Sequence, residues 1–431
     1  MNAGGLPPVP AALAPRLFAL IAGLSRRSGP PPADLAALSD AEFCTAFHSL
    51  ATRHGVLGLV LTRLASLPGF TALDPGVQRR ILAPLKILRQ QALLLDMERD
   101  RVVGLLMREG LRPLVLKGAA LRGYAYRDPV ERQVGDLDLL LAPDQVDAAT
   151  AALQGAGYRL PESAAVISGF RQHHFHLPLS HPGGFDVELH WALDPPHEMF
   201  SLDPAGFLAR GVRVSRPEGE MLTPSPTDTL LHMTSQNTED CFSKLRRLVD
   251  VDRIVARGEV DWDHLREEAR QSGLEVVLGL TLALCGRLLD TPSPPGFIAS
   301  LGISRSARRH LALLQPESWL TLAAGPRHHL GTLTLALWST SRGRRREYVR
   351  RVVRGDLDPL AWLWQGKQRP ERPPRGPVAG AALAVRLAAY HLFLWGAAPV
   401  RLVTPAGRAS MDIWSPHGPG TGRATERSLA A

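Results

Sequence analysis

Gly135-Asp136-Leu137-Asp138-Leu139-Leu140-Leu141 sets two carboxylates two residues apart inside an apolar run. The run closes a stretch that begins at Leu114. It is too apolar for a loop and too short for a membrane span, so it reads as a buried strand. Strand side chains at i and i+2 share a face. Asp136 and Asp138 therefore point the same way, beside leucines that enter a core. Two like charges held near a core are costly unless something positive lies between them. A divalent cation meets that need, and hard Mg²⁺ prefers carboxylate oxygen.

Downstream, Phe185-Asp186-Val187-Glu188-Leu189-His190-Trp191 alternates strictly. Phe185, Val187, Leu189 and Trp191 take one face, and Asp186, Glu188 and His190 the other, the pattern of a half-buried strand. If this strand lies beside the first, Glu188 completes a three-carboxylate site, with Asp186 the competing choice. Three carboxylates holding two Mg²⁺ ions roughly 3.5–4 Å apart form the clamp used for in-line phosphoryl or nucleotidyl displacement. His190, on the face of Glu188, is expected to hydrogen-bond a carboxylate or the substrate. Upstream, Gly118 follows a short strand and opens a helix, where backbone N–H groups and the helix N-terminus favour phosphate. Lys117 reads either as a phosphate ligand or as a solvated strand-end charge. Arg132 either pairs with phosphate or balances Glu131 or Asp128.

Lys117-Gly118-Ala119-Ala120-Leu121, Arg132-Gln133-Val134-Gly135-Asp136-Leu137-Asp138-Leu139-Leu140, His173-His174 and Val187-Glu188-Leu189-His190-Trp191 together resemble an uncharacterised bacterial nucleotidyltransferase family of the DNA polymerase β-type superfamily. The resemblance covers about residues 85–290 and is dense between 112 and 192. It implies an α/β fold: a polymerase β-like core, a small mixed sheet with flanking helices, plus a helical C-terminal region. It implies a Mg²⁺-dependent enzyme that moves an NMP from an NTP, ATP favoured, to a hydroxyl-type acceptor on a small molecule or protein. Asp136, Asp138 and Glu188 would be the catalytic metal ligands, with Lys117, Gly118 and Arg132 at the triphosphate, and His173 and His174 either line the acceptor pocket or are ordinary strand histidines. The superfamily turn is usually Gly-Ser or Gly-Gly, whereas this chain has Gly118-Ala119, which removes a hydroxyl from the phosphate grip. That departure favours the alternative, a non-catalytic nucleotide-binding or scaffold protein with the same fold.

The rest of the chain bounds these readings. Its 431 residues can bury one or two substantial cores. The formal charge of +9 suits an anionic ligand, but much of the excess lies in arginine runs near 342–354 and 367–375, away from the carboxylates. The run near 342–354 has helical spacing and little aromatic interleaving, so it reads as a solvated helix face rather than a nucleic-acid site. Cys44, Cys241 and Cys285 form no C-x-x-C and read as buried thiols of a reducing cytosol. The histidines match no structural zinc spacing. No basic n-region precedes an apolar stretch at the N-terminus, so a cytoplasmic protein is expected.

The expected order is an N-terminal helical segment (1–73), a nucleotidyltransferase core (74–200), a helical domain (201–364), a Pro/Arg-rich linker (365–377), an apolar helix (378–403) and a disordered tail (404–431). Within it, Asp74-Pro75 opens a long helix to about Glu109. A hairpin turns through His181-Pro182-Gly183-Gly184, and from Asp203 the pattern reads as helical. The apolar helix carries Arg386, and a central Arg costs about 2.5–3.5 kcal/mol on insertion scales. A buried or amphipathic helix is preferred there over peripheral membrane contact.

Overall fold

A computed structural model describes residues 6–305, with breaks at 31, 33, 162–166, 169, 172–173, 195–199, 217–218 and 240–241, and beyond them only positions 308, 346, 350 and 381. His173, the 342–354 arginine run apart from two positions, the linker, the apolar helix apart from position 381, and the tail lie outside the described residues.

The chain opens with α1 (Ala14–Ser25), α2 (Ala41–Arg53), α3 (Leu57–Ala65) and α4 (Pro68–Thr71). Asp40 caps α2 by accepting the Phe43 N–H at 2.8 Å, a contact worth about 1 kcal/mol. α5 (Pro75–Arg108) starts as the sequence predicts: Asp74 accepts the N–H groups of Gly76 and Val77 at 2.7 and 3.1 Å, and Pro75 takes the first helical position. α3 escapes the sequence reading because no side chain caps its start. It packs very closely: a Cβ on Gly58 would stand 2.0 Å from the Val130 carbonyl oxygen.

Four strands form the sheet that positions the site. They are β1 (Leu114–Val115), β2 (Asp136–Leu140), β3 (His176–His181) and β4 (Phe185–His190), in the order β1-β2-β4-β3. β3 and β4 make the expected antiparallel hairpin, and β2 runs parallel to β4. A parallel pair needs a crossover; α7 (Val146–Gly155) and β3 lie in it. α6 (Lys117–Tyr124) fills the interval between β1 and β2. Leu137, Leu139, Val187 and Leu189 enter one core with Val102, Val103 and Leu106 of α5 and Val146, Ala149 and Leu153 of α7. Period-two alternation then forces Asp136, Asp138, Glu188 and His190 onto the other face.

After α8 (Pro204–Ala209) the reading of a helical pattern from Asp203 onward is corrected at 212–223. A two-stranded sheet intervenes, β5 (Val212–Arg216) against β6 (Gly219–Thr223). Its alternation is short and mixed with Arg213, Arg216 and Glu220, and the burial that fixes it comes from Met221 joining the core under the main sheet. The helical pattern then resumes in α9 (Pro226–Glu239), α10 (Leu245–Ala256), α11 (Trp262–Ser272), α12 (Glu275–Leu289) and α13 (Phe297–Ser300). One apolar cluster runs from Leu17 through Leu121 to Leu248 and Leu284, so helices before and after the sheet share a core. Among the described residues no helix is long and apolar enough to cross a membrane.

Candidate metal and nucleotide site

Parallel register sets Asp138 directly opposite Glu188 and Asp136 opposite Asp186. Carboxylate oxygens of Asp136, Asp138 and Glu188 all lie within 4.8 Å of one another. Asp138 is buried, and Asp136 and Glu188 are half-buried. Asp186 is exposed and joins no such group among the described residues. The strand pairing thus gathers Glu188, and not Asp186, with the Asp-x-Asp pair.

The three carboxylates differ in charge state because their neighbours differ. Burial, then the charges of Asp138 and Glu188, push the Asp136 carboxyl up from 3.8 to about 6. Burial also opposes ionisation of Asp138, but two cationic partners outweigh it and hold its carboxyl far below the usual range. Lys117 Nζ donates to Asp138 Oδ1 at 2.7 Å, and His190 Nε2 stands 3.0 Å from the same oxygen. His190 Nε2 also lies 3.2 Å from Glu188 Oε2. Burial disfavours its charge, yet the two carboxylates raise it above the ordinary histidine value. The expectation that His190 hydrogen-bonds a carboxylate matches this geometry.

Two more imidazoles close the face. His176, in register with His190, has Nε2 3.6 Å from Glu188 Oε1, and burial pushes it down to about 4. Donor atoms of His176, Glu188 and His190 form a second group within 4.8 Å. His232 on α9 is buried and pushed down to about 3 by burial, then by Lys117 and His190. Both rings are neutral at pH 7. An all-oxygen trio around a carboxyl whose pKa is raised by burial and then by the charges of its two acidic neighbours fits a hard divalent cation.

The turn before α6 is built on unusual backbone. Lys117 has φ +51°, in the left-handed region that non-glycine residues seldom occupy. The ion pair with Asp138 accompanies this conformation. Next to it, a Cβ on Gly118 would lie 2.8 Å from Arg132 Cζ and Nη1 and 2.9 Å from Val134 Cγ2. Gly118 is therefore needed for the close approach of a guanidinium. That guanidinium is fixed: Arg132 is 6% exposed, its Nε donates to Asp250 Oδ1 at 2.7 Å, and its Nη1 donates to the Gln133 carbonyl at 2.5 Å. Tyr126 donates its hydroxyl to the same Asp250 oxygen at 2.6 Å. The ion-pair partner of Arg132 is thus neither Glu131 nor Asp128 but a residue 118 positions away on α10. Arg122 braces the loop from behind, its Nε donating to the Pro129 and Arg132 carbonyls at 3.1 and 2.8 Å.

Of the residues read as phosphate ligands, Gly118 lies at the start of α6, Lys117 reaches Asp138, and Arg132 lies within the protein beneath the turn. The sequence reading missed Asp250, Tyr126 and His232. Asp250 did leave a signal, a carboxylate inside the apolar helical run Leu248-Val249-Asp250-Val251, where a buried charge requires a partner.

Residues 43–290, more than half of the chain, match the model of a family described as uncharacterised nucleotidyltransferases. The match spans both sheets and every residue of the site. No curated protein and no solved structure matches the chain.

Proposed function

The chain belongs to this uncharacterised nucleotidyltransferase family, and from that premise we propose that it transfers an NMP from an NTP to a hydroxyl on a small molecule or protein. The acceptor oxygen bonds to the α-phosphorus, the bond to the β-phosphate bridging oxygen breaks, and pyrophosphate leaves. The observation that carries the reading is the grouping of Asp136, Asp138 and Glu188 on one sheet face.

Asp136, Asp138 and Glu188 would hold Mg²⁺, in two sites, and the metal would supply positive charge at the phosphate oxygens of the displacement. Asp138 is kept ionised by Lys117 and His190, so it remains an acceptor-only group at the centre. Glu188 takes the proton of the attacking hydroxyl. Gly118 makes room for the Arg132 guanidinium against the turn, and the N–H groups at the start of α6 would face the triphosphate. Lys117, which donates to Asp138 at 2.7 Å, is the side chain that would reach a phosphate oxygen. Arg132 acts through Gly118, fixing the turn, rather than by touching phosphate. Cys44 and Cys285 are buried free thiols, in keeping with a reducing cytoplasm. ATP is the first NTP to try.

A second reading, a nucleotide-binding protein without transferase activity, is favoured by Ala119, which offers no hydroxyl at the turn. Incubation of each α-labelled NTP with Mg²⁺ and fractionated small molecules and proteins separates the two. Transfer of label with pyrophosphate release by the wild type, lost in Asp136→Asn, supports catalysis. Mg²⁺-dependent NTP binding with no transfer to any fraction supports the second reading.

A further inference from the structure

A cavity of about 600 Å³ opens at the opposite end of α6 and α10 from the carboxylates. Tyr124, Tyr126 and Arg127 at the end of α6 line it, as do Arg253 and Arg257 at the end of α10. Six residues along α6 take the chain from Gly118 to Tyr124, about 9 Å at the usual rise.

Six arginines line this one space, Arg26, Arg27, Arg63, Arg127, Arg253 and Arg257, and the one acid among the lining residues is Glu131. Burial pushes the Glu131 carboxyl up, which weakens it as a counter-ion. Four of the arginines are paired. Arg27 and Arg253 share Asp252, Arg26 reaches Asp290 at 3.3 Å, and Arg257 reaches Glu259 at 2.7 Å. The side chains of Arg63 and Arg127 have no ion-pair or hydrogen-bond partner among the described residues, and the only Arg127 group bonded to Glu131 is its backbone N–H. Thr62 also lines the cavity, and its hydroxyl is buried without a hydrogen-bond partner. Gathering guanidiniums around one cavity raises its potential, and unpartnered Arg63 and Arg127 contribute no ion pair to the fold.

We propose that this cavity is an anion site, distinct from the carboxylate face, that takes a small molecule bearing phosphate groups. Guanidinium forks match phosphate oxygens two at a time. The volume falls within the range of about 300–1,000 Å³ usual for small-molecule sites. Arg63 and Arg127 supply the free forks, and the Thr62 hydroxyl supplies a further donor. The two faces are opposite in charge, so this site stands whether or not the carboxylate face catalyses transfer.

Titration calorimetry of inorganic pyrophosphate into the full chain, in EDTA at low salt, tests it. Without divalent cation the carboxylate face repels pyrophosphate. The wild type and Asp136→Asn should bind with equal affinity, and that affinity should fall as salt rises. Arg63→Ala/Arg127→Ala should bind at least tenfold more weakly with an unchanged melting temperature, since neither side chain has a partner to lose. Arg63→Lys/Arg127→Lys, which keeps the charge and loses the forks, should fall between. No binding by the wild type, or undiminished binding by both double variants, would overturn the proposal.

Discussion

Removing Asp250 should be among the most damaging single changes in the protein. Asp250 is fully buried and accepts from Arg132 Nε at 2.7 Å and from the Tyr126 hydroxyl at 2.6 Å. Asp250→Ala strands a buried guanidinium whose remaining partner is the Gln133 carbonyl. Breaking a buried pair from one side costs about 3–5 kcal/mol, which moves a urea midpoint by more than about 1 M. The damage comes from the uncompensated charge and not from the pair's net value, because burying both ions is itself expensive. Arg132→Ala/Asp250→Ala should therefore cost clearly less than Asp250→Ala and Arg132→Ala summed, because the second change removes the charge that the first one strands. The double-mutant cycle should show a coupling of at least about 2 kcal/mol. Equilibrium urea unfolding of the four proteins measures it. A cost below about 1 kcal/mol for Asp250→Ala, or strictly additive costs, would refute the argument that this pair anchors the turn under Gly118.

Acid should stabilise the metal-free site. Asp136 sits at about 6 in the folded protein against 3.8 ordinarily, so on raising the pH the unfolded chain releases this proton first. Relative to Asp136→Asn, the wild type without metal should lose stability between about pH 4 and 6 and then level off, and added Mg²⁺ should reverse the trend by binding the carboxylate form; thermal unfolding of both proteins across pH decides it. Gly58→Ala should destabilise by about 3 kcal/mol or more despite a better helix propensity, because the new Cβ would meet a backbone oxygen at 2.0 Å. Gly135→Ala, with nothing within 4 Å of its Cβ, should change urea stability far less.

Much of this architecture is visible in the residue pattern because it rests on local periodicity. Asp136 and Asp138 share a face by strand geometry alone, and the alternation from Phe185 to Trp191 assigns Glu188 and His190 to the polar side. Asp74-Pro75 and the Pro182-Gly183-Gly184 turn are likewise local signals. What the pattern leaves open is long-range. Period two makes Asp186 and Glu188 equivalent; only the parallel register with β2 sets Glu188 opposite Asp138. Arg132 has two acids close by in sequence, and its partner comes from α10 through tertiary packing. The left-handed backbone of Lys117 has no sequence mark, since lysine does not favour it. α3 lacks a capping side chain, and β5–β6 lacks a sustained apolar alternation, so neither announces itself locally.

The central claim is that Asp136, Asp138 and Glu188 hold Mg²⁺ for a bound NTP. Thermal unfolding of the wild type and of Asp136→Asn/Asp138→Asn, with each NTP in the presence and absence of Mg²⁺, tests it most directly, because a ligand bound to the native state raises its stability by mass action. The account predicts a Mg²⁺-dependent rise in melting temperature with at least one NTP in the wild type and none in the double variant. A well-folded wild type that no NTP stabilises, or a shift of equal size in the double variant, would contradict it.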